Sequence, residues 1–245
     1  MRTLLLINPN TSHEVTGSLQ RIVAPHLGPD WQVCAHTAPF GAPYIACQTS
    51  YTVGAHAAVA VYRQQVLSGL RPDAVLVACF GDPGVEALRA LAPVPIYGLA
   101  EASMRRASQV GRFAVVTGGA EWRPMLARLV RALGDLTAPT DIYTVSLSGA
   151  DIMRQPQRAA ALLADEVARA GAAGAQHVLL GGAGLAGLSP LLRAQVTLPV
   201  HDSVALSAEA IAQQPLADRG EVTQDSWLAP LHALRWWPED STVTS

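Results

Sequence analysis

Charge is scarce in this sequence. Only 15% of the 245 residues are Asp, Glu, Lys or Arg, the formal net charge is -2, and the basic residues are scattered. No positive stripe is available for a phosphate backbone, so nucleic acid is not the expected partner and a small molecule is. Cysteine is equally scarce. Cys34, Cys47 and Cys79 are an odd number without paired spacing, which argues against a disulfide framework or a zinc ribbon and leaves room for a reactive thiol. Long apolar runs are missing as well: the opening MRTLLLINPN is too short for a signal segment or a membrane span and leads straight into polar turn residues. A cytoplasmic protein with no membrane partner is expected, and 50% hydrophobic content gives it ample material for a core.

What is present is a regular alternation. Short apolar runs ending in Gly, Asn, Asp or Thr alternate with stretches of helical period, the pattern of βα units around a parallel sheet. Eight strands are read, at 3–8, 31–37, 74–79, 95–98, 113–117, 141–145, 177–181 and 199–201. After Asn8, Thr11 and Glu14 stand in capping-box spacing before a helix that buries Val15, Leu19, Ile22 and Val23. After Cys79, Asp82 reads as the N-cap of a helix with Pro83 at its first position and Val85, Leu88 and Leu91 as its buried stripe. Cys79 is therefore expected at a strand end facing a helix start.

The chain also resembles itself. DAVLVACFGDPGVEALRALAPVPIYGLAEA and QHVLLGGAGLAGLSPLLRAQVTLPVHDSVA share one plan: buried strand, Gly-containing turn, helix, Pro-led short strand. Aligned on the strands, Cys79 falls on Gly182. RTLLLINPNT likewise matches RFAVVTGGAE, which sets Asn8 opposite Thr117. The expected fold is α/β, with two pseudo-symmetric lobes, each a mainly parallel sheet flanked by helices, and an active site in the cleft where the strand ends meet. Residues 1–108 would form the first lobe and 109–214 the second. Residues 215–245, with Trp236 and Trp237, would pack back on the first lobe, ending in a loose polar tail.

INPNTS at 7–12, ACFGDPG at 78–84 and GLAEAS at 98–103, together with RFAVVTG and GGAGLAGL, resemble the hydantoin racemase branch of the aspartate/glutamate/hydantoin racemase superfamily over nearly the whole chain. The resemblance implies cofactor-free chemistry, without metal, on a carbon next to a carbonyl, with two cysteines approaching its opposite faces. One matches Cys79. The other belongs in a turn that here reads Gly181-Gly182-Ala183-Gly184, so Gly182 stands where the second thiol is expected. The segment APYIACQTSY, with Tyr44 and Cys47, borders the substrate in this resemblance. The expected assembly is a homo-oligomer.

A thiol at a helix N-terminus is a plausible base, because the dipole and free N–H groups stabilise thiolate and bring its pKa towards neutrality. Cys79 fits that description; the bland alternative is a buried structural cysteine. Backbone N–H groups around Phe80, Gly81, Ala183 and Gly184, with the side chains of Asn8, Ser12 and Thr117, are the candidates for holding an enolate oxygen. Asn8 and Thr117 also read as plain caps and turn formers. Cys34 reads as core and Cys47 as an apolar filler. His201 suits proton shuttling and is the candidate substitute for the missing thiol; alternatively it belongs to a solvated turn in which Asp202 caps the next helix. Glu101 and Asp82 read as caps. The expected activity is a cofactor-independent racemase or isomerase using Cys79 on a small carboxylate or cyclic ureide. A one-cysteine decarboxylase of disubstituted malonates and a non-catalytic small-molecule sensor are the alternatives.

Overall fold

Each of the eight apolar runs forms a strand, and the strands make two four-stranded parallel sheets in the computed structural model, which describes residues 1–134, 136, 141–147, 149–213 and 223–232. The first sheet takes β1 (Arg2–Asn8), β2 (Trp31–Thr37), β3 (Ala74–Val77) and β4 (Ile96–Gly98) in the order β2-β1-β3-β4. The second takes β5 (Phe113–Gly118), β6 (Asp141–Val145), β7 (His177–Gly181) and β8 (Val200–Asp202) in the order β6-β5-β7-β8. Both sheets thus have the same topology. Their registers superimpose too: Val77 pairs with Ile7 and Gly98 as Leu180 pairs with Val116 and Asp202. On that register Cys79 and Gly182 are equivalent positions, and Asn8 is equivalent to Thr117.

Pleating sends alternate residues of each central strand to opposite faces, and both faces are covered. Leu4 and Leu6 of β1 and Leu76 of β3 share a core with Val115 of β5 and Leu179 of β7. That core is filled by α1 (His13–Leu27), α4 (Leu99–Ser108), α5 (Trp122–Leu133) and α9 (Ser203–Gln213), which therefore form a layer between the two sheets. Leu5, Ile7, Val75 and Val77 face the other way, onto α2 (Gln48–Leu67), α3 (Val85–Leu91) and α10 (Gln224–His232), the last through Trp227 and Leu231. The outer face of the second sheet packs on α7 (Pro156–Ala172), α8 (Ser189–Arg193) and Ile152 of the short α6 (Gly149–Arg154). Each fully buried Leu or Val in these layers contributes about 1.5–3 kcal/mol. Trp236, Trp237 and the tail at 238–245 lie outside the described residues. No helix among the described residues is long and apolar enough to cross a membrane.

Two helix starts differ from expectation. Ser12, not Thr11, is the N-cap of α1, its hydroxyl accepting the Val15 N–H at 3.3 Å, because the Thr11 N–H is already bonded to the Ala42 carbonyl. The helix after Cys79 buries Val85, Leu88 and Leu91 but starts behind Gly84, which sits at φ 84°. Asp82 caps a different helix, α4, for the reason given below.

Candidate active site

The carboxyl ends of β1, β3, β5 and β7 meet at one cavity of about 210 Å³. The first sheet contributes Asn10, Cys79 and Phe80, and the loop before α2 adds Tyr44. From the second come Thr117 and the turn Gly182-Ala183-Gly184. A cavity lined from both sheets follows from their common topology, since loops that leave strand ends have nowhere else to converge. Among the described residues, the cavity wall carries one carboxylate, Glu121, and no Arg, Lys or His. A larger open groove of about 830 Å³ runs along β4 and α4, but it has no thiol, and its Arg89 and Arg105 are both paired with Glu101 at 2.6 and 2.9 Å.

Cys79 lies in a tight turn whose carbonyl accepts the N–H groups of Gly81 and Asp82 at 2.9 and 3.0 Å, and it is 7% exposed. Burial pushes its thiol far up, and the nearby Asp82 carboxylate adds to the shift. This corrects the expectation of a lowered pKa: the next helix starts only at Val85, so its N-terminus does not offset the loss of solvent. Asp82 is itself buried at φ 60°, and its two carboxylate oxygens accept the N–H groups of Ala100 and Glu101 at 2.7 and 2.8 Å. It therefore ties the Cys79 turn to the first turn of α4. Burial outweighs those two bonds and raises its pKa to about 7. Tyr51, behind the same turn, is raised to about 12, by burial first and then by Asp82 and Cys79.

On the opposite wall, Gly182 sits at φ 133°, a backbone that L side chains rarely adopt. A Cβ there would lie 3.1 Å from Leu185 Cδ1 and 3.7 Å from the Thr117 hydroxyl. Thr117 is 4% exposed, lines the cavity, and makes no side-chain hydrogen bond among the described residues. Phe80 reaches across from the first sheet to the end of β7, where any Cβ on Gly181 would collide with its ring. Tyr44 closes the cavity from the side, its hydroxyl donating to Met153 Sδ at 3.7 Å.

Of the residues expected at the site, Cys79, Phe80, Tyr44, Thr117, Gly182, Ala183 and Gly184 come together around the cavity. Four do not. Asn8 is fully buried and off the cavity wall. Its Nδ2 donates to Asn10 Oδ1, the Ser12 carbonyl and Thr16 Oγ1, and its Oδ1 accepts the Asn10 N–H, so it braces the loop. Ser12 is committed to its capping bond. Gly81 faces outward, against Trp122 and Tyr51. His201 is on the edge strand β8, off the cavity wall, in edge contact with His177, whose ring stacks on Phe113. Burial first, then Arg193, lowers its pKa. Asp202 beside it accepts the N–H groups of Gly187 and Val204. Cys34 is half-buried rather than core, because β2 is an edge strand. Cys47 is exposed at the start of α2, its pKa lowered chiefly by the Ser50 hydroxyl. Asn10, Glu121 and Trp122 were not anticipated. Asn10 carried a usable signal, being the second amide of the same loop.

Residues 4–211 match the family model described as Asp/Glu/Hydantoin racemase. The hydantoin racemase of Pseudomonas sp. (strain NS671) is 30% identical over 201 residues, spanning 81% of this chain and 80% of that one. The allantoin racemase from Klebsiella pneumoniae superimposes with a TM-score of 0.77 at 25% identity, over 86% of both chains. A liganded double mutant of arylmalonate decarboxylase shares the fold, with a TM-score of 0.63 at 18% identity over 87% of this chain and 93% of that one. With two sheets of one topology, a thiol at their meeting point and this breadth of similarity, the chain belongs to the Asp/Glu/hydantoin racemase family.

Proposed function

We propose that the chain moves a proton at the carbon next to a carbonyl of a small cyclic ureide of the hydantoin kind, without a cofactor, with Cys79 as the group that carries the proton. The supporting observation is the placement of Cys79: it is the one thiol on the cavity wall, and both sheets present their strand ends to it. Removing the α-hydrogen leaves an enolate whose oxygen needs donors already in place. The N–H groups of Phe80, Ala183 and Gly184 make no hydrogen bond to protein among the described residues and belong to wall residues, so they supply those donors. A wall that, among the described residues, has no cation and one carboxylate favours a neutral ring over a dianion. The relatives named as hydantoin and allantoin racemases support the same substrate class.

Inversion requires a proton on the face opposite Cys79, where Gly182 has no side chain. The Thr117 hydroxyl beside it is the group that holds a water there. A second reading is favoured by one observation: the Cys79 thiol is pushed up and so rests protonated. A resting thiol suits decarboxylation, in which loss of carbon dioxide creates the enolate and one acid protonates it.

The test is exchange of the α-hydrogen of a 5-substituted hydantoin in deuterium oxide, followed by proton NMR. Exchange above the spontaneous rate, reduced by about 10²-fold or more in Cys79→Ala, is expected, the usual scale for a lost acid–base group. Undiminished exchange in that variant would overturn the proposal. Carbon dioxide release from a disubstituted malonate, without hydantoin exchange, would establish the second reading instead.

A further inference from the structure

Trp122, the first residue of α5, stands between the Cys79 cavity and a second space. Its side chain is only 9% exposed and belongs to the wall of both. The second space is a groove of about 460 Å³ between α2 and α5, bounded by Tyr51, Met125, Arg128 and Leu129. The benzo ring of Trp122 rests on Gly81, where any Cβ would collide with it, and Gly119 leaves 3.2 Å between a would-be Cβ and Trp122 Cδ1. Two side-chain-free positions therefore seat the indole, and one of them follows Phe80 in the turn that carries Cys79.

The sizes of the two spaces give this arrangement a consequence. At about 210 Å³ the inner cavity falls below the roughly 300–1,000 Å³ typical of sites for larger ligands. It accepts a five-membered ring with a short substituent. Tyr51, Met125 and Leu129 give the groove beyond the indole an apolar and aromatic lining, and Arg128 and Gln48, also on its wall, are joined by a hydrogen bond between their side chains. Joined to the cavity, it would bring the whole into that typical range.

We propose that Trp122 is the specificity-determining residue that limits the α-substituent of the substrate, and that the groove between α2 and α5 is the subsite for a larger aryl substituent once the indole is cut back. This rests on reading the Cys79 cavity as the reacting site. No residue of the groove touches the reacting atoms; the effect is on size selection.

The experiment compares 5-methylhydantoin with 5-benzylhydantoin in the full chain. The ratio of their kcat/KM values is read for wild type, Trp122→Phe and the double variant Trp122→Phe/Ala132→Phe. Phe lacks the ring that covers Gly81 but keeps an aromatic core residue, and Ala132 is an exposed residue on the groove wall. Wild type should favour the methyl compound. Trp122→Phe should move the ratio towards the benzyl compound by about tenfold or more, the scale on which an apolar pocket discriminates size. Refilling the groove at Ala132 should reverse the gain. A wild type that accepts both equally, or a Trp122→Phe variant that shifts both together, would overturn the inference. Calorimetric binding of the two compounds to Cys79→Ala, with and without Trp122→Phe, separates the two levels. A shift in relative affinity when wild type shows no turnover would sink the proposed reaction and leave the role of Trp122 standing.

Discussion

The carboxylate of Asp82 occupies the space that a side chain on Gly98 would need. In the second sheet the counterpart of Gly98 is Asp202, and it is there that the carboxylate originates, reaching back to the Gly187 N–H at 3.0 Å. Each sheet therefore uses one buried acid to tie the turn after its third strand to the end of its fourth, but the two acids start from opposite ends of the tie. Gly98→Ala should expel Asp82 from its two bonds to α4. A loss of about 1 kcal/mol or more in urea unfolding is expected below the raised pKa of about 7, where Asp82 is neutral, since ordinary hydrogen bonds contribute about 0.5–1.5 kcal/mol each. A neutral result would show that the tie is not structural.

The buried thiol predicts a pH profile. Cys79 is shifted up, so the thiolate that abstracts a proton becomes more abundant as pH rises through neutrality. Hydantoin exchange should increase with pH across that range and into the alkaline, whereas a reaction that uses the neutral thiol as acid would stay flat. Asp82→Asn removes one cause of the shift and should move the rising limb to lower pH. A limb that stays in place in that variant would remove Asp82 from the account.

Asp82 also predicts a stability trend. Its folded-state pKa is raised to about 7, above the ordinary carboxyl value of 3.8, so the folded state holds this proton more tightly than the unfolded chain. Its contribution is full at low pH and is lost as pH climbs through the interval up to about 7. The urea midpoint of wild type, relative to Asp82→Asn, should fall over that interval. A difference that is constant with pH would contradict the shift.

Asn8→Ala should destabilise the fold while leaving KM nearly unchanged. Asn10 Oδ1, the Ser12 carbonyl and Thr16 Oγ1 each lose one bond but keep another, whereas the Asn10 N–H loses its acceptor, and a buried group left unsatisfied costs about 1–3 kcal/mol. A raised KM at full stability would return Asn8 to the substrate.

Gly182→Cys should not simply supply a second thiol. The backbone at φ 133° and Leu185 at 3.1 Å oppose any Cβ, so a cost of about 1–3 kcal/mol is expected, with little gain in inversion relative to exchange. Pairing it with Leu185→Ala should lower the steric part. A single variant that is both stable and a faster racemase would show that this wall is already shaped for a thiol.

The strands were legible because a parallel sheet covered on both faces leaves unbroken apolar runs, and the internal duplication was legible because both sheets repeat one connectivity. Cys79, Thr117 and the Gly182 turn followed from strand-end positions taken together with the internal duplication and the resemblance to the racemase family. Other site features depended on details that no linear pattern carries. Of two amides in one loop, Asn8 is spent on bracing and Asn10 reaches the cavity, a choice made by the loop's path. His201 sits on an edge strand in contact with His177, and proximity to a strand end did not reveal that its ring leaves the cleft. The direction of the Cys79 shift turned on its burial first and on the neighbouring Asp82 second. Trp122 was hidden because its role comes from Gly81, distant in sequence.

The helical layer between the sheets has a consequence for how the protein works. Because α1, α4, α5 and α9 share one core with both sheets, beside the separate core each sheet has on its outer face, the halves cannot swing apart like the jaws of a clamp without breaking that shared core. Entry and exit of small molecules then fall to individual side chains at the rim, and neither half of the polypeptide, expressed alone, would keep its inner face dry.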